Sequence, residues 1–189
     1  MVQVRLPSLL YERVIEAEER VQLLQGPLPP HKGEGIVQGL SGEWVEVITP
    51  LDLNKLRPKL QALLDEGIDS LAIVFLHSYT FPGHEEAAGQ LAREMGFRQV
   101  SQSAALVPMV RMVPRGQTAV LDAYLTPAIQ AYLRTFLEGF DAGLKDVTVL
   151  FMQSDGGLTP AESFSGFKVP ISPIPTRPPS PPRSSSWPS

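Results

Sequence analysis

Hydrophobic positions recur along this chain at two spacings, and the change from one spacing to the other predicts the order of its elements. Tyr11 to Gln25 mixes Val14, Val21 and Leu23 with Glu12, Arg13, Glu16, Glu18, Glu19 and Arg20, a pattern open to a short amphipathic helix or a pair of exposed strands. Glycine and proline crowd 26–42, which reads as loop. Glu43 to Ile48 alternates cleanly and predicts a strand, after which Asp52 is placed as a helix N-cap. Leu53, Leu56, Leu60, Leu63 and Leu64 carry helical spacing up to Gly67, a fitting C′ residue; Pro58 either kinks this helix or delays its start. Ser70 to Tyr79 contains the uninterrupted run LAIVFL and predicts a strand covered on both faces. Pro82 to Met95 predicts a helix closed by Gly96, and Phe97 to Ser101 a short strand.

The longest helical pattern is Pro114 to Ala142, with an apolar stripe of Leu121, Tyr124, Leu125, Ile129, Leu133, Phe136, Leu137 and Phe140. Gly143 is expected to end it and Pro127 to kink or divide it. Val147 to Met152 then predicts a strand that stops abruptly at Gln153-Ser154-Asp155-Gly156-Gly157. Strands alternating with helices imply an α/β layer domain. Three regions are expected: an irregular N-terminal extension and loop over 1–42, an α/β lobe over 43–166, and a Pro/Ser-rich tail over 167–189. The tail has too little apolar surface to offset the entropy of ordering it, and is expected to be disordered with polyproline II character.

With 189 residues and 43% hydrophobic content, the chain is long enough to bury one sizeable core. A formal charge of −4 supplies no basic footprint, so nucleic acid is not an expected partner. Absence of cysteine excludes disulfides, thiolate metal sites and a cysteine nucleophile, and fits a reducing compartment. The longest apolar run, Leu71 to Leu76, is far too short to span a bilayer, and the N-terminus shows no secretory pattern. The expectation is a cytosolic protein with no membrane association.

The best placed chemistry is Ser154, Asp155, Gly156 and Gly157. A hydroxyl and a carboxylate stand beside two glycines that admit a sharp turn or a close ligand, at the strand end where open α/β sheets bind ligands; the alternative is an ordinary strand-to-loop turn. Arg115, Thr118 and Asp122 share a helix face, where they form either an Arg115–Asp122 structural pair or a site on an interdomain cleft. His77 ends a buried strand, in a ligand-facing or structural hydrogen-bonding role. Its separation from His84 across a turn matches no metal-ligand spacing, and no catalytic residue or metal ligand is assigned. Neither GxxxxGK[ST] nor GxGxxG occurs. In the tail, Pro178 to Arg183 matches a ligand pattern for an SH3 domain.

Several collinear segments resemble the hydantoinase A/oxoprolinase family over about residues 9 to 166. They are Leu10-Tyr11-Glu12 with Glu18-Glu19-Arg20-Val21, SLAIVFLHSY from Ser70 with His84-Glu85, and Pro108 to Arg111 through Val113 to Gly116. The series continues with Asp122 to Gln130, Leu144 to Leu158, and Phe164-Ser165-Gly166. The resemblance implies part of one lobe of an actin-like (ribonuclease H-like) ATPase fold, with a mixed sheet flanked by helices. It also implies an ATP-dependent hydrolase of glutathione metabolism that opens the lactam of 5-oxo-L-proline to L-glutamate, with Mg²⁺ and K⁺, in a large oligomeric cytosolic parent. There ATP phosphorylates the lactam oxygen and so activates the ring carbon toward water. The family's two phosphate loops, R-G-G-T-F-T-D and D-x-G-G-T-S-T-D, would fall before Met1 and after residue 166. The resemblance thus implies an internal fragment, inactive alone, with Ser154 to Gly157 lining the cleft between lobes as the first site candidates and Arg115, Thr118 and Asp122 as the second. Two alternatives are a hydantoinase-type relative and a non-catalytic binding module, which would associate with full-length subunits or present the tail to an SH3 domain; the LYE…EERV and MQSDGGL details favour oxoprolinase.

Overall fold

The computed structural model describes residues 9–24, 26, 35–140, 149–152, 156–161 and 164–166. Strands β1 (Arg20–Leu24), β2 (Ile36–Gln38) and β3 (Trp44–Thr49) form an antiparallel sheet in the order β1-β3-β2. Residues 9–19 contain no regular element, so the ambiguous Tyr11–Gln25 stretch resolves as a strand only in its second half. The 26–42 stretch, expected to be loop, contributes β2. Its three residues are too few for a period-two pattern to stand out among glycines and prolines.

Helix α1 (Leu53–Asp65) starts where the N-cap was expected: Asp52 Oδ1 accepts from Asn54 N–H at 2.9 Å and Lys55 N–H at 3.3 Å. Pro58 lies within it without delaying its start, and Gly67 takes the left-handed conformation just past its end, at φ +86°. Loss of that cap in Asp52→Ala is expected to cost about 1 kcal/mol in urea unfolding. The parallel pair β4 (Ser70–Ile73) and β5 (Gln99–Gln102) follows, joined through α2 (Gly83–Met95) as a βαβ unit. After the single turn α3 (Ser103–Leu106), helix α4 (Met112–Glu138) packs on β4 and β5. A separate antiparallel hairpin, β6 (Leu150–Met152) with β7 (Leu158–Pro160), completes the described chain. The described strands thus fall in three small sheets, where the resemblance implied a mixed sheet.

The period-two alternation of β4 and β5 decides how the layers stack. Ile73 belongs to a buried cluster with Leu56, Leu60 and Leu63 of α1 and Ala88, Leu91 and Ala92 of α2, and Leu71 and Val100 pack against it. On the opposite face Ser101 and Gln99 reach Asp122 of α4, and Val74 approaches Gly116, where a Cβ would meet it at 3.3 Å. The face of α4 that is buried therefore runs Arg115, Ala119, Asp122, Ala123, Thr126 and Leu133. Tyr124, Phe136 and Phe140, assigned to the apolar stripe, are exposed. Helix α4 begins before Pro114, which the first turn tolerates because its missing N–H would have no partner there. It continues through Pro127 undivided and is capped at Gly139, short of the expected Gly143, which lies outside the described residues.

Strand β4 is shorter than the expected Ser70–Tyr79. The chain leaves the ladder at Val74 because Phe75 N–H donates to the carboxylate of Glu85 at 3.0 Å, and 76–80 forms turns with Leu76 exposed. This turn region also grips the first sheet. Leu40 N–H donates to Thr80 O at 2.8 Å, and a Cβ on Gly39 would come within 3.0 Å of the same oxygen. The tail 167–189, including the Pro178–Arg183 motif, lies outside the described residues.

Candidate functional site

Two buried polar clusters lie between the βαβ unit and α4. The first stands at the carboxyl ends of β4 and β5 and is centred on Glu85, in the first turn of α2 and 1% exposed. Glu85 shares the buried face of its helix with Ala88, Gly89, Leu91 and Ala92, which turns its carboxylate inward. Oε1 accepts from Phe75 N–H (3.0 Å), Ser78 Oγ (2.9 Å) and Ser103 Oγ (2.5 Å), and Oε2 accepts from Ala104 N–H (2.9 Å). Both strand ends are thereby tied to one carboxylate.

Arg115 enters this cluster from the first turn of α4 with 0% exposure. Its Nη2 donates to Phe75 O and, at 3.2 Å, to Leu76 O, while Nε and Nη1 have no hydrogen-bond partner among the described residues. Burial holds the guanidinium below its ordinary pKa, and the charges of Glu85 and Tyr79 partly counter that. The neighbouring Tyr79 phenol is pushed up, first by burial, then by the Glu43 carboxylate, to which it hydrogen-bonds; Arg115 pulls the other way. A phenol that ionises less readily in the folded chain binds its proton more tightly there, so stability falls as pH rises past about 10. Tyr79→Phe is expected to flatten that alkaline loss, read as urea midpoints from pH 9 to 11.

His77 lies on the same turn, half-buried, with its ring 6.4 Å from that of Tyr79, and its carbonyl accepts from the N–H groups of Thr80 and Phe81. His84 is committed elsewhere. Its Nδ1 meets Glu19 Oε2 at 2.7 Å and its Nε2 accepts from Leu51 N–H at 3.4 Å, holding the N-terminal segment against α2.

The second cluster is built on Asp122, 2% exposed. Oδ2 accepts from Ser101 Oγ at 2.7 Å and Gln99 Nε2 at 3.4 Å, and Oδ1 from Thr126 Oγ1 at 3.0 Å. Thr126 Oγ1 in turn accepts from Gly166 N–H at 2.8 Å, so the last described residues are pinned to α4. Arg115 and Asp122 thus share a buried face but bond different partners, which removes the Arg115–Asp122 pair, one of the two readings of this face. Thr118 Oγ1 donates to Pro114 O within its own helix at 3.0 Å.

Ser154 and Asp155 lie outside the described residues. Gly156, at φ +84°, and Gly157 are exposed in the β6–β7 turn. That turn belongs to a two-stranded antiparallel sheet, so the rule for strand ends in parallel sheets, which suggested it, applies instead to β4 and β5. The residues missed from sequence are Glu85, Ser78, Ser103, Tyr79 and Glu43. Glu85 carried a usable signal: it stands three and four residues before Ala88 and Gly89, while Glu86 falls on the exposed face.

The buried carboxylates Glu85 and Asp122 do not fit a metal site. The oxygens of Glu85 and Asp122 are filled by protein donors, and no group of three or more His, Asp or Glu among the described residues is arranged to hold an ion. No helix among them is long and apolar enough to cross a membrane.

Residues 1–96 match the hydantoinase/oxoprolinase N-terminal region, and residues 115–172 match hydantoinase/oxoprolinase. The chain is 54% identical over 166 residues to 5-oxoprolinase 1 of Arabidopsis thaliana, covering 88% of this chain and 13% of that protein. It is 46% identical over 166 residues to 5-oxoprolinase of Saccharomyces cerevisiae, covering 84% of this chain and 13% of that one. The chain therefore spans only about an eighth of the length of these relatives. Among solved structures it is similar to the ATP-dependent caprolactamase of Pseudomonas jessenii (TM-score 0.57, 26% identity, 61% of this chain and 17% of that one). It shares a fold with nucleotide-free acetone carboxylase (TM-score 0.55, 20% identity, 68% of this chain and 18% of that one).

Proposed function

This chain belongs to the hydantoinase/oxoprolinase family, and from that premise we propose that it is one section of an ATP-dependent enzyme that opens the lactam of 5-oxo-L-proline to L-glutamate. The observation that carries this reading is the 54% identity to a 5-oxoprolinase over 166 residues, supported by the likeness to a lactamase described as ATP-dependent. The section is part of an actin-like lobe in a cytosolic enzyme of glutathione metabolism. The phosphate loops that hold ATP and Mg²⁺, with K⁺, lie in parts of the enzyme outside this chain, and Glu85 and Asp122 are already committed to protein donors. Phosphoryl transfer depends on positioning and electrostatics, so the section alone is inactive.

Within that enzyme, Ser154 to Gly157 face the cleft between the lobes and contact substrate or nucleotide. Arg115 and Asp122 act by fixing α4 to the ends and the face of the β4–β5 pair, with Thr118 on the same helix and His77 on the turn they steady.

The test is a chimaera in which residues 1–166 replace the matching section of the Arabidopsis protein. 5-Oxo-L-proline-dependent phosphate release is expected from the chimaera and none from the 189-residue chain alone. A folded chimaera that ignores 5-oxo-L-proline but hydrolyses ATP with another cyclic amide, or turnover by the chain alone, would overturn the reading.

A further inference from the structure

A groove of about 750 Å³ runs along β4 on the side away from β5. One wall is the edge of β4 and its flanking residues, 66–75, and the other is the N-terminal segment 10–17. Leu56, Leu60 and Leu63 of α1 line one face, and Val120 and Tyr124 of α4 line the opposite face. The two helical layers that enclose β4 therefore continue past its edge, over a position where no described strand lies.

We propose that this groove is the seat of an extended strand supplied by the family protein's polypeptide outside the section matched here. Such a strand would add to β4 through main-chain hydrogen bonds and place alternate apolar side chains toward α1 and α4. Several observations favour this occupant. A parallel strand with the uninterrupted run LAIVFL has the composition of a strand interior to a sheet, yet among the described residues β4 pairs only with β5. An open edge presents unpaired backbone groups that proteins normally pair or cover. The far wall is tied to α1 and its C-terminal end by Arg13, which bonds Glu66 at 2.8 Å, and by Lys59 Nζ, which donates to Glu16 O at 2.8 Å. Large apolar side chains stand uncovered at the rim, with Tyr124 58% exposed and Val14 74%. Most of the relatives' length lies outside the matched section. A second copy of this chain fits poorly, since its own β4 is recessed between α1 and α4, which would collide with the same helices here.

This rests on family membership and not on the lactam reaction, so the readout is structural. Hydrogen exchange at those residues of 71–74 whose N–H groups do not bond β5 is expected to be at least tenfold slower in the chimaera than in the 189-residue chain. With p-benzoylphenylalanine in place of Tyr124 in the chimaera, irradiation is expected to give an intramolecular crosslink to a segment outside residues 1–166. The same photoreactive residue at the aligned position of the Arabidopsis protein gives the answer if the chimaera does not fold. Crosslinks confined to residues 1–166, crosslinked dimers, absence of any crosslink, or edge-facing N–H groups of 71–74 already protected in the monomeric chain would each overturn the proposal. Loss of 5-oxo-L-proline turnover with these crosslinks retained would overturn the functional reading alone.

Discussion

Glu85→Ala is expected to lower the unfolding free energy of the chain by about 3–5 kcal/mol, a large share of the whole for a domain of this size. The four donors that converge on this carboxylate include two backbone N–H groups, of Phe75 and Ala104, and two hydroxyls, of Ser78 and Ser103. Alanine leaves them unmatched in a place water does not reach, and an unmade buried bond costs more than a made one contributes. It also removes the carboxylate whose field favours the buried guanidinium of Arg115. Glu85→Gln keeps one acceptor oxygen and should fall between the two. The neighbouring Glu86→Ala, on the exposed face of α2, should stay within about 0.5 kcal/mol of the parent. Urea midpoints followed by circular dichroism decide the matter; a loss under about 1 kcal/mol at Glu85 would remove its place at the centre of the cluster.

Arg115→Ala should cost about 2–4 kcal/mol by the same measurement. The substitution empties the volume of a fully buried side chain and strips a donor from Phe75 O and Leu76 O. Arg115→Met is expected to be milder by about 1 kcal/mol or more, because it fills much of that volume and removes two buried nitrogens that have no hydrogen-bond partner among the described residues. Both Glu85 and Arg115 act on the main chain at Phe75. The double replacement Glu85→Ala with Arg115→Ala should therefore fall short of the sum of the single losses by about 1–2 kcal/mol. Strict additivity would mean that the two hold the turn independently.

The elements legible in the sequence were those whose side chains advertise their period over many residues. α1, with its N-cap and terminal glycine, and α2 with Gly96 appear within a residue or two of where the leucine spacing and capping chemistry put them. β2 was illegible because three residues carry no period, and the end of β4 because its cause is a carboxylate ten residues further on. The exposed side of α4 was misjudged for a related reason. Tyr124 and Phe136 look like core residues, whereas the face actually buried holds Arg115, Asp122 and Thr126, each bonded to groups distant in sequence. Arg115 and Asp122 were visible as polar residues on a shared face, but their partners are set by tertiary packing, which no local spacing encodes.

The clasp between Gly39–Leu40 and Thr80 has a mechanical corollary. The loop it holds is the one whose start is gripped by Glu85 from α2 and by Arg115 from α4. A tug on the three-stranded sheet is therefore delivered, through one short length of main chain, to the root of the longest helix. With glycine at position 39 there is no side chain to act as a cushion, so the linkage has little slack: the sheet and the helix travel together, or the clasp lets go first.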